Sequence, residues 1–429
     1  TDASRFLAQA TFGGKLSEIN ALTGQPGFEA WLGQQRNATP TYQLPYLNQR
    51  EASGVQLAPA DRIGAWFRSV ITGPDQLRQR VAFALSEIFV VSENLGALNF
   101  DVKGLANYYD ILTRNALGNY RTLLEEVTLS PQMGLYLSML RNQKADPANG
   151  IRPDENYARE IMQLFTVGLV QLNADGSLRL DAGGNTMPTY SQRDVENLAR
   201  VFTGFGPNGG TDAFTFTVLD PDRLAPMSVY PQYHDTGAKT IIGNSVIPAG
   251  QQALPELRQA LDVLFNHPNV GPFIGRQLIQ RLVTSNPSPA YVARVAAAFN
   301  DNGSGVRGDI EEPDLRGAGA DQPGIGTCAQ ALAAGRPLPT PFDSLYPLVG
   351  DGGAAGPHVA AGPAAAPAGA RAHRCATAPP ARARSPGPPC PPAGSPRRAR
   401  GARPAAPAVS AGRVLREHPG GKDRRRAVW

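Results

Sequence analysis

Side chains of the kinds that bind ligands or move protons are concentrated in one short segment, residues 154–168. Glu155 precedes Arg159 by four residues, and Asn156 precedes Glu160 by the same interval. Residues four apart on an α-helix face each other across one turn, so each pair can be in contact. A carboxylate beside a guanidinium can hold a polar ligand, and Glu160 could act as a general base. Ordinary surface ion pairs, worth about 0.2–0.5 kcal/mol each, would explain the same residues.

A second group, His234, Asp235 and Lys239, falls in a segment rich in Pro and Gly, where ligand-handling residues often occur. An imidazole next to a carboxylate can serve as a base that its neighbour orients. The alternative is that Asp235 makes local turn hydrogen bonds while His234 is packed inside. His267, followed by Pro268, predicts a cation at a helix C-terminus.

The candidates are therefore Glu160, His234 and Asp235 for catalysis, and Glu155, Asn156, Arg159 and Lys239 for binding. Residues 1–310 contain no Cys, nucleophile elbow, phosphate-binding loop, dinucleotide fingerprint or cluster with metal-ligand spacing. We therefore expect neither a metal nor another cofactor. No apolar run is long enough to cross a bilayer, so no transmembrane segment is expected.

The elements that position these groups are predicted to be helices. Apolar residues recur at helical spacing and capping residues mark several helix starts, for example Ser191 with Asp194 three residues later. The buried face predicted for 155–168 consists of Tyr157, Ile161, Leu164, Phe165 and Gly168. Further helices are predicted at 3–10, 15–22, 27–36, 59–72, 75–91, 254–265, 270–283 and 289–300.

Residues 205–250 interrupt the helical spacing with Gly, Pro, Asn and Asp. Two runs there, 213–218 and 240–247, are β-like, and Gly243-Asn244 between β-branched residues predicts a tight hairpin. The predicted fold class is mostly α, with a single large helical domain over residues 1–310 and a small β-hairpin excursion.

The composition changes sharply at residue 311. Residues 311–429 are rich in Ala, Pro, Gly and Arg without periodicity, and they hold about half of the 39 Pro and all three Cys. Such a segment cannot bury enough apolar surface to offset its ordering entropy. It is predicted to be a tail that is disordered, or the out-of-frame end of a GC-rich gene.

The positive charge belongs mainly to this tail. Of the 41 Lys plus Arg and 36 Asp plus Glu, 16 and 8 lie beyond residue 310, which leaves 25 and 28 before it. Because the predicted folded part is close to neutral, a nucleic-acid partner is not expected.

Several motifs follow one another in an order that identifies a family. They are ASRFLAQATFG at 3–13, NYARE at 156–160, YSQRDV at 190–195, ARVFTG at 199–204, HDTGAK at 234–239 and His267-Pro268. The chain resembles the bacterial family catalogued as domain of unknown function 1800. The resemblance implies a helical, exported protein and carries no activity with it.

This chain departs from the family pattern at places where many members carry a His-x-His pair and one further His. Those places here read Ser86, Glu87, Ile88 and Phe165. The departure disfavours a histidine-ligated metal. The tail is a second departure, because relatives continue after Ile310 with another apolar helix.

Two functions remain open from the sequence. The first is an exported, non-catalytic protein that binds a partner protein or an envelope polymer through a polar cleft around Glu155, Arg159 and Glu160. The second is a hydrolase-type enzyme with Glu160 or His234 as the general base. The enzyme hypothesis requires His234 or Asp235 to meet Glu160 in one concave pocket. We favour binding, because neither a nucleophile nor a metal site is visible.

Overall fold

The computed structural model describes residues 2–25, 27–210, 214–215 and 222–310. The tail predicted at 311–429 lies outside these residues. The described part is mostly helical with two small antiparallel hairpins, which confirms the predicted fold class. None of the helices described is long and apolar enough to cross a membrane.

The first ten helices are α1 (Asp2–Ala10), α2 (Leu16–Leu22), α3 (Glu29–Asn37), α4 (Gln43–Ala52), α5 (Pro59–Thr72), α6 (Gln76–Ser86), α7 (Gly96–Asn99), α8 (Val102–Asn115), α9 (Tyr120–Thr128) and α10 (Pro131–Tyr136). The others are α11 (Asn156–Gln163), α12 (Gln192–Val201), α13 (Ala253–Phe265), α14 (Val270–Leu282) and α15 (Pro289–Asn300). The strands are β1 (Phe205–Gly206), β2 (Ser228–Val229), β3 (Lys239–Ile241) and β4 (Ser245–Ile247).

The hairpin predicted at Gly243-Asn244 is present. Strand β3 pairs antiparallel with β4, and Thr240 lies opposite Val246. Gly243 and Asn244 have φ of 68° and 57°, the left-handed conformation that Gly and Asn tolerate best. The other β-like run, 213–218, lies mostly outside the described residues. The second hairpin is instead β1 with β2.

Helix α6 is shorter than the predicted 75–91, since it ends at Ser86. The following run, Ile88-Phe89-Val90-Val91, is β-branched and aromatic, which disfavours helix. Ile88, Phe89 and Val91 are nevertheless buried.

The core lies between α6, α8, α9 and the helices from α11 to α14. At its centre the rings of Phe89 and Phe165 are 4.9 Å apart, and Phe89 also contacts Tyr120. The Tyr120 hydroxyl donates to the Phe165 carbonyl oxygen at 2.8 Å. Ile88 and Phe165 are thus part of the apolar interior.

Helix α11 ends at Gln163, which corrects one predicted core residue. Tyr157, Ile161 and Phe165 are buried, but Leu164 is 43% exposed. The N–H groups of Val167 and Gly168 both donate to the Met162 carbonyl, which closes the helix. Gly168 has φ of 69°, and a side chain there would collide with Phe273. Because the helix ends at Gln163, Leu164 does not follow the helical spacing that would place it on the buried face.

Candidate functional site

Helix α12 connects the two predicted groups of polar residues. It begins with the predicted capping box, in which the Asp194 carboxylate accepts from the Ser191 N–H at 2.7 Å. Its ten residues span about 15 Å at 1.5 Å per residue. The first group contacts Gln192 at its start, and the second contacts Arg200 near its end.

The first group is a partly exposed network between α11 and α12. Arg159 Nη2 donates to Glu155 Oε2 at 3.0 Å, and the two side chains are 40% and 35% exposed. Gln192 joins them, because its Nε2 donates to Glu155 Oε2 at 2.8 Å and its Oε1 accepts from Arg159 at 3.2 Å. The four-residue spacing of Glu155 and Arg159 therefore produces a contact.

The predicted pairing of Asn156 with Glu160 is not among the hydrogen bonds of the described residues. Asn156 is exposed at the first position of α11, and its N–H donates to the Asp154 carboxylate at 2.8 Å. Glu160 is half-buried near Tyr190. Burial raises the pKa of Tyr190, Arg159 opposes this, and the charge of Glu160 adds to the rise.

The second group is a cluster of ion pairs beneath the surface. Arg200 forms a two-pronged pair with Asp235, with Nε and Nη2 at 2.9 and 3.0 Å from the carboxylate oxygens. Burial raises the pKa of Asp235, but hydrogen bonds from Arg200 and the Gly237 N–H outweigh it and hold the pKa below its usual value. Asp235 is therefore ionised and oriented by Arg200.

Lys239 and His234 meet at a carboxylate that the sequence did not single out, Glu256 of α13. The Lys239 ammonium lies 2.5 Å from Glu256 Oε1 and also donates to the carbonyl oxygens of Asp235 and Gly237. The side chains of Lys239 and Glu256 are both 0% exposed. Such a pair is tolerated only because each charge has partners.

His234 is 2% exposed and contacts protein groups at both ring nitrogens. Nδ1 lies 2.9 Å from the Thr203 carbonyl oxygen, and that oxygen can only accept, so Nδ1 carries a proton. Nε2 lies 3.4 Å from Glu256 Oε2.

Two glycines allow the close approach of these segments. Gly204 has φ of 83°, and an added Cβ there would lie 2.9 Å from the Cβ of His234. An added Cβ at Gly237 would lie 2.6 Å from Arg200 Nη2. The motifs at 199–204 and 234–239 are thus packed against each other.

Asn142 ties the first group to the end of α12. Its Oδ1 accepts from the Asp154 N–H at 2.7 Å, and its carbonyl oxygen accepts from the Gly204 N–H at 2.8 Å. The surrounding turn contains two non-glycine residues with positive φ, Ser138 and Arg141. Residues held in this conformation are uncommon and strained.

The structure keeps Glu160 apart from His234 and Asp235. Glu160 lies by Tyr190, just before α12, whereas His234 contacts Thr203, just after it. Two hollows, of about 410 and 660 Å³, are lined by other residues and contain none of the predicted candidates. Within the described ranges, no group of three or more His, Cys, Asp or Glu could hold a metal ion.

His267 differs from the cation predicted at the end of a helix. Helix α13 does end just before it, at Phe265. Burial, and then the nearby charge of Arg307, lower the pKa of His267. Its Nδ1 accepts from the Asn269 N–H at 3.2 Å, as a neutral imidazole can.

The missed residues carried weak local signals. Glu256 lies in the first turn of α13, where an acidic residue is expected from the helix dipole alone. Gln192 and Arg200 lie within or beside the motifs, but their partners are distant in the chain. Asn142 falls in a turn without a recognisable motif.

The fold and this site define a large, mostly helical protein in which the motifs at 156–160, 190–195, 199–204 and 234–239 meet around α12. The chain matches the family described as protein of unknown function (DUF1800) over residues 5–313, and it belongs to that family. This confirms the resemblance derived from the motifs. No curated protein and no solved structure was found to match the chain.

Proposed function

We propose that this protein is an exported binding protein that holds a partner protein or an envelope polymer through the polar face of α11 and α12. The observation that carries the proposal is the half-exposed network of Glu155, Arg159 and Gln192. Its side chains are mounted on two packed helices and already linked, so little ordering is needed on binding. Asn156 and Glu160 border the same face. Export is the part of the proposal that derives from the family resemblance.

The hydrolase hypothesis has less support. A general base must come within hydrogen-bonding reach of the substrate, directly or through one water. His234 is enclosed by Thr203 and Glu256, and Asp235 is occupied by Arg200. Glu160 is more accessible than His234, but it lies by Tyr190, at the other end of α12 from His234 and Asp235.

Site-specific photo-crosslinking tests the binding proposal. A photoreactive phenylalanine analogue at Glu196, an exposed position on α12, is used in cells of the producing organism. We expect an adduct that is lost with Arg159→Glu and retained with Arg179→Glu, a matched reversal at an exposed arginine elsewhere. Adducts of equal yield in both variants, or none in either, would contradict the proposal. Cell fractionation of the same strains tests export.

A further inference from the structure

The larger of the two hollows, of about 660 Å³, is a cleft on α9 that lies apart from α11 and α12. Helix α9 supplies Arg121, Glu125 and Glu126, while Arg114 of α8 and Arg258 of α13 lie to either side. Its volume is in the range of known ligand sites, which is about 300–1,000 Å³.

The centre of the cleft is a saturated set of ion pairs. Glu125 accepts from Arg121 Nη1 at 2.9 Å and from Arg258 Nε at 2.8 Å, so both of its oxygens are used. Burial raises the pKa of Glu125, but the bonds from the two arginines outweigh it and lower the pKa. Arg121 Nε also donates to Asp262 Oδ1 at 2.6 Å. Glu125 and Arg121 therefore fix the shape of the cleft and have little left to offer a ligand.

The atoms that remain available to a ligand form two pairs, each with a hydrogen-bond donor beside an acceptor. In the described part of the chain, the Nη atoms of Arg258 and the Oδ2 of Asp262 have no partner, and the two residues are four apart on α13. The same holds on the opposite side for Arg114 Nη1 and Glu126 Oε1. These four side chains are 33–59% exposed.

The charges of the lining cancel. The lining contains three arginines and three carboxylates. An anion attracted by Arg258 would be repelled by Asp262, and a cation attracted by Asp262 would be repelled by Arg258. A hydroxyl group is both donor and acceptor and carries no charge, so it matches such a pair. Leu129, Leu224 and Pro226 add an apolar strip suited to the C–H face of a sugar ring.

The polar lining extends beyond this cleft. The smaller hollow, of about 410 Å³, shares Asp262 with it and is lined by the uncharged polar groups of Ser245, Gln259 and Asn266. The two hollows are therefore adjacent, with Asp262 at their common edge.

We propose that this cleft binds an uncharged, polyhydroxylated chain, that is, a neutral oligosaccharide. The site is independent of the binding face proposed on α11 and α12, because none of its lining residues belongs to those helices. Either proposal can fail without the other.

The test is titration calorimetry of the full chain with three neutral probes, cellohexaose, maltohexaose and chitohexaose. We expect at least one to bind with a Kd below about 1 mM, which corresponds to measurable heat. Arg258→Ala and Asp262→Ala should each weaken that binding about tenfold or more, since each removes one half of a donor–acceptor pair. Arg159→Ala, on the other face, is the matched control and should leave it unchanged.

Salt dependence separates this ligand class from charged ones. Binding of a neutral chain should change less than about twofold between 0.05 and 0.5 M NaCl, because screening acts only on charges. No binding of any of the three probes would overturn the proposal, and so would unchanged binding in both cleft variants. Polygalacturonate and a charged peptide are titrated as comparison ligands. If only these bind, and their binding weakens strongly with salt, the proposal is also overturned. Melting curves verify that each variant is folded. If Asp262→Ala melts at a lower temperature than the wild type, Asp262→Asn takes its place.

Discussion

Asp110 offers a sharp test of the burial seen in this structure. It lies on α8, is 4% exposed, and accepts from the N–H groups of Gln43 and Leu44 at 2.7 and 2.9 Å. It therefore caps the start of α4 from a neighbouring helix. Burial raises the pKa of Asp110 from 3.8 to about 7, although the two N–H groups and Arg114 oppose the rise.

A carboxyl group with a raised pKa in the folded state binds more protons there than when unfolded. Its stabilising contribution is therefore complete below about pH 4 and falls as the pH rises to about 7. At 1.36 kcal/mol per pKa unit, the decrease between pH 5 and pH 8 should be about 2–3 kcal/mol.

The measurement is urea unfolding of the wild type and of Asp110→Asn at both pH values. Asparagine keeps the size and one acceptor but does not titrate in this range. The difference in unfolding free energy, wild type minus variant, should therefore fall by about 2–3 kcal/mol from pH 5 to pH 8. A difference that stays constant, or that grows with pH, would refute the argued burial of this carboxyl group.

Two further substitutions probe the cluster at the end of α12. Glu256→Gln removes the carboxylate 2.5 Å from the buried Lys239 ammonium and leaves only Asp235, at 3.7 Å, as its counter-charge. Urea unfolding should therefore show a loss of about 3 kcal/mol, the lower end of the range for breaking a buried ion pair. Exposed Glu196→Gln should change stability by less than about 0.5 kcal/mol, and equal effects would contradict the buried pair. Gly237→Ala places a Cβ 2.6 Å from Arg200 and should cost about 1–3 kcal/mol by the same assay. Gly33→Ala, with open space around it, should not destabilise, and a reversed order would disprove the close approach.

Much of the fold was predictable because its signals are local. Helices α5 and α15 begin with Pro at the positions where Pro favours a helix start, and their predicted bounds are those observed. The β3–β4 turn followed from the conformational freedom of Gly243 and Asn244. Helix α8 was not singled out, because three of its polar residues, Asp110, Thr113 and Asn115, are buried and interrupt the apolar spacing.

The candidate site was predictable only within each motif. The Glu155–Arg159 contact needs nothing beyond helical spacing. The Arg200–Asp235 pair joins residues 35 apart, and the Glu256 contacts join α13 to the segment around His234. Burial of these groups depends on the packing of several helices. The sequence therefore contained the residues of the cluster but no signal that they meet in the fold.

Helix α12 links the buried ion-pair cluster at its end to the exposed network at its start. Removing charges from water costs several kcal/mol per ion, so the cluster persists only while Arg200, Asp235, Lys239 and Glu256 keep their geometry. That requirement fixes the end of α12 against the segment around His234 and against α13. Because a helix of ten residues is stiff, fixing its end also fixes Gln192 at its start. The enclosed charges therefore help to hold the exposed network of Glu155, Arg159 and Gln192 in position.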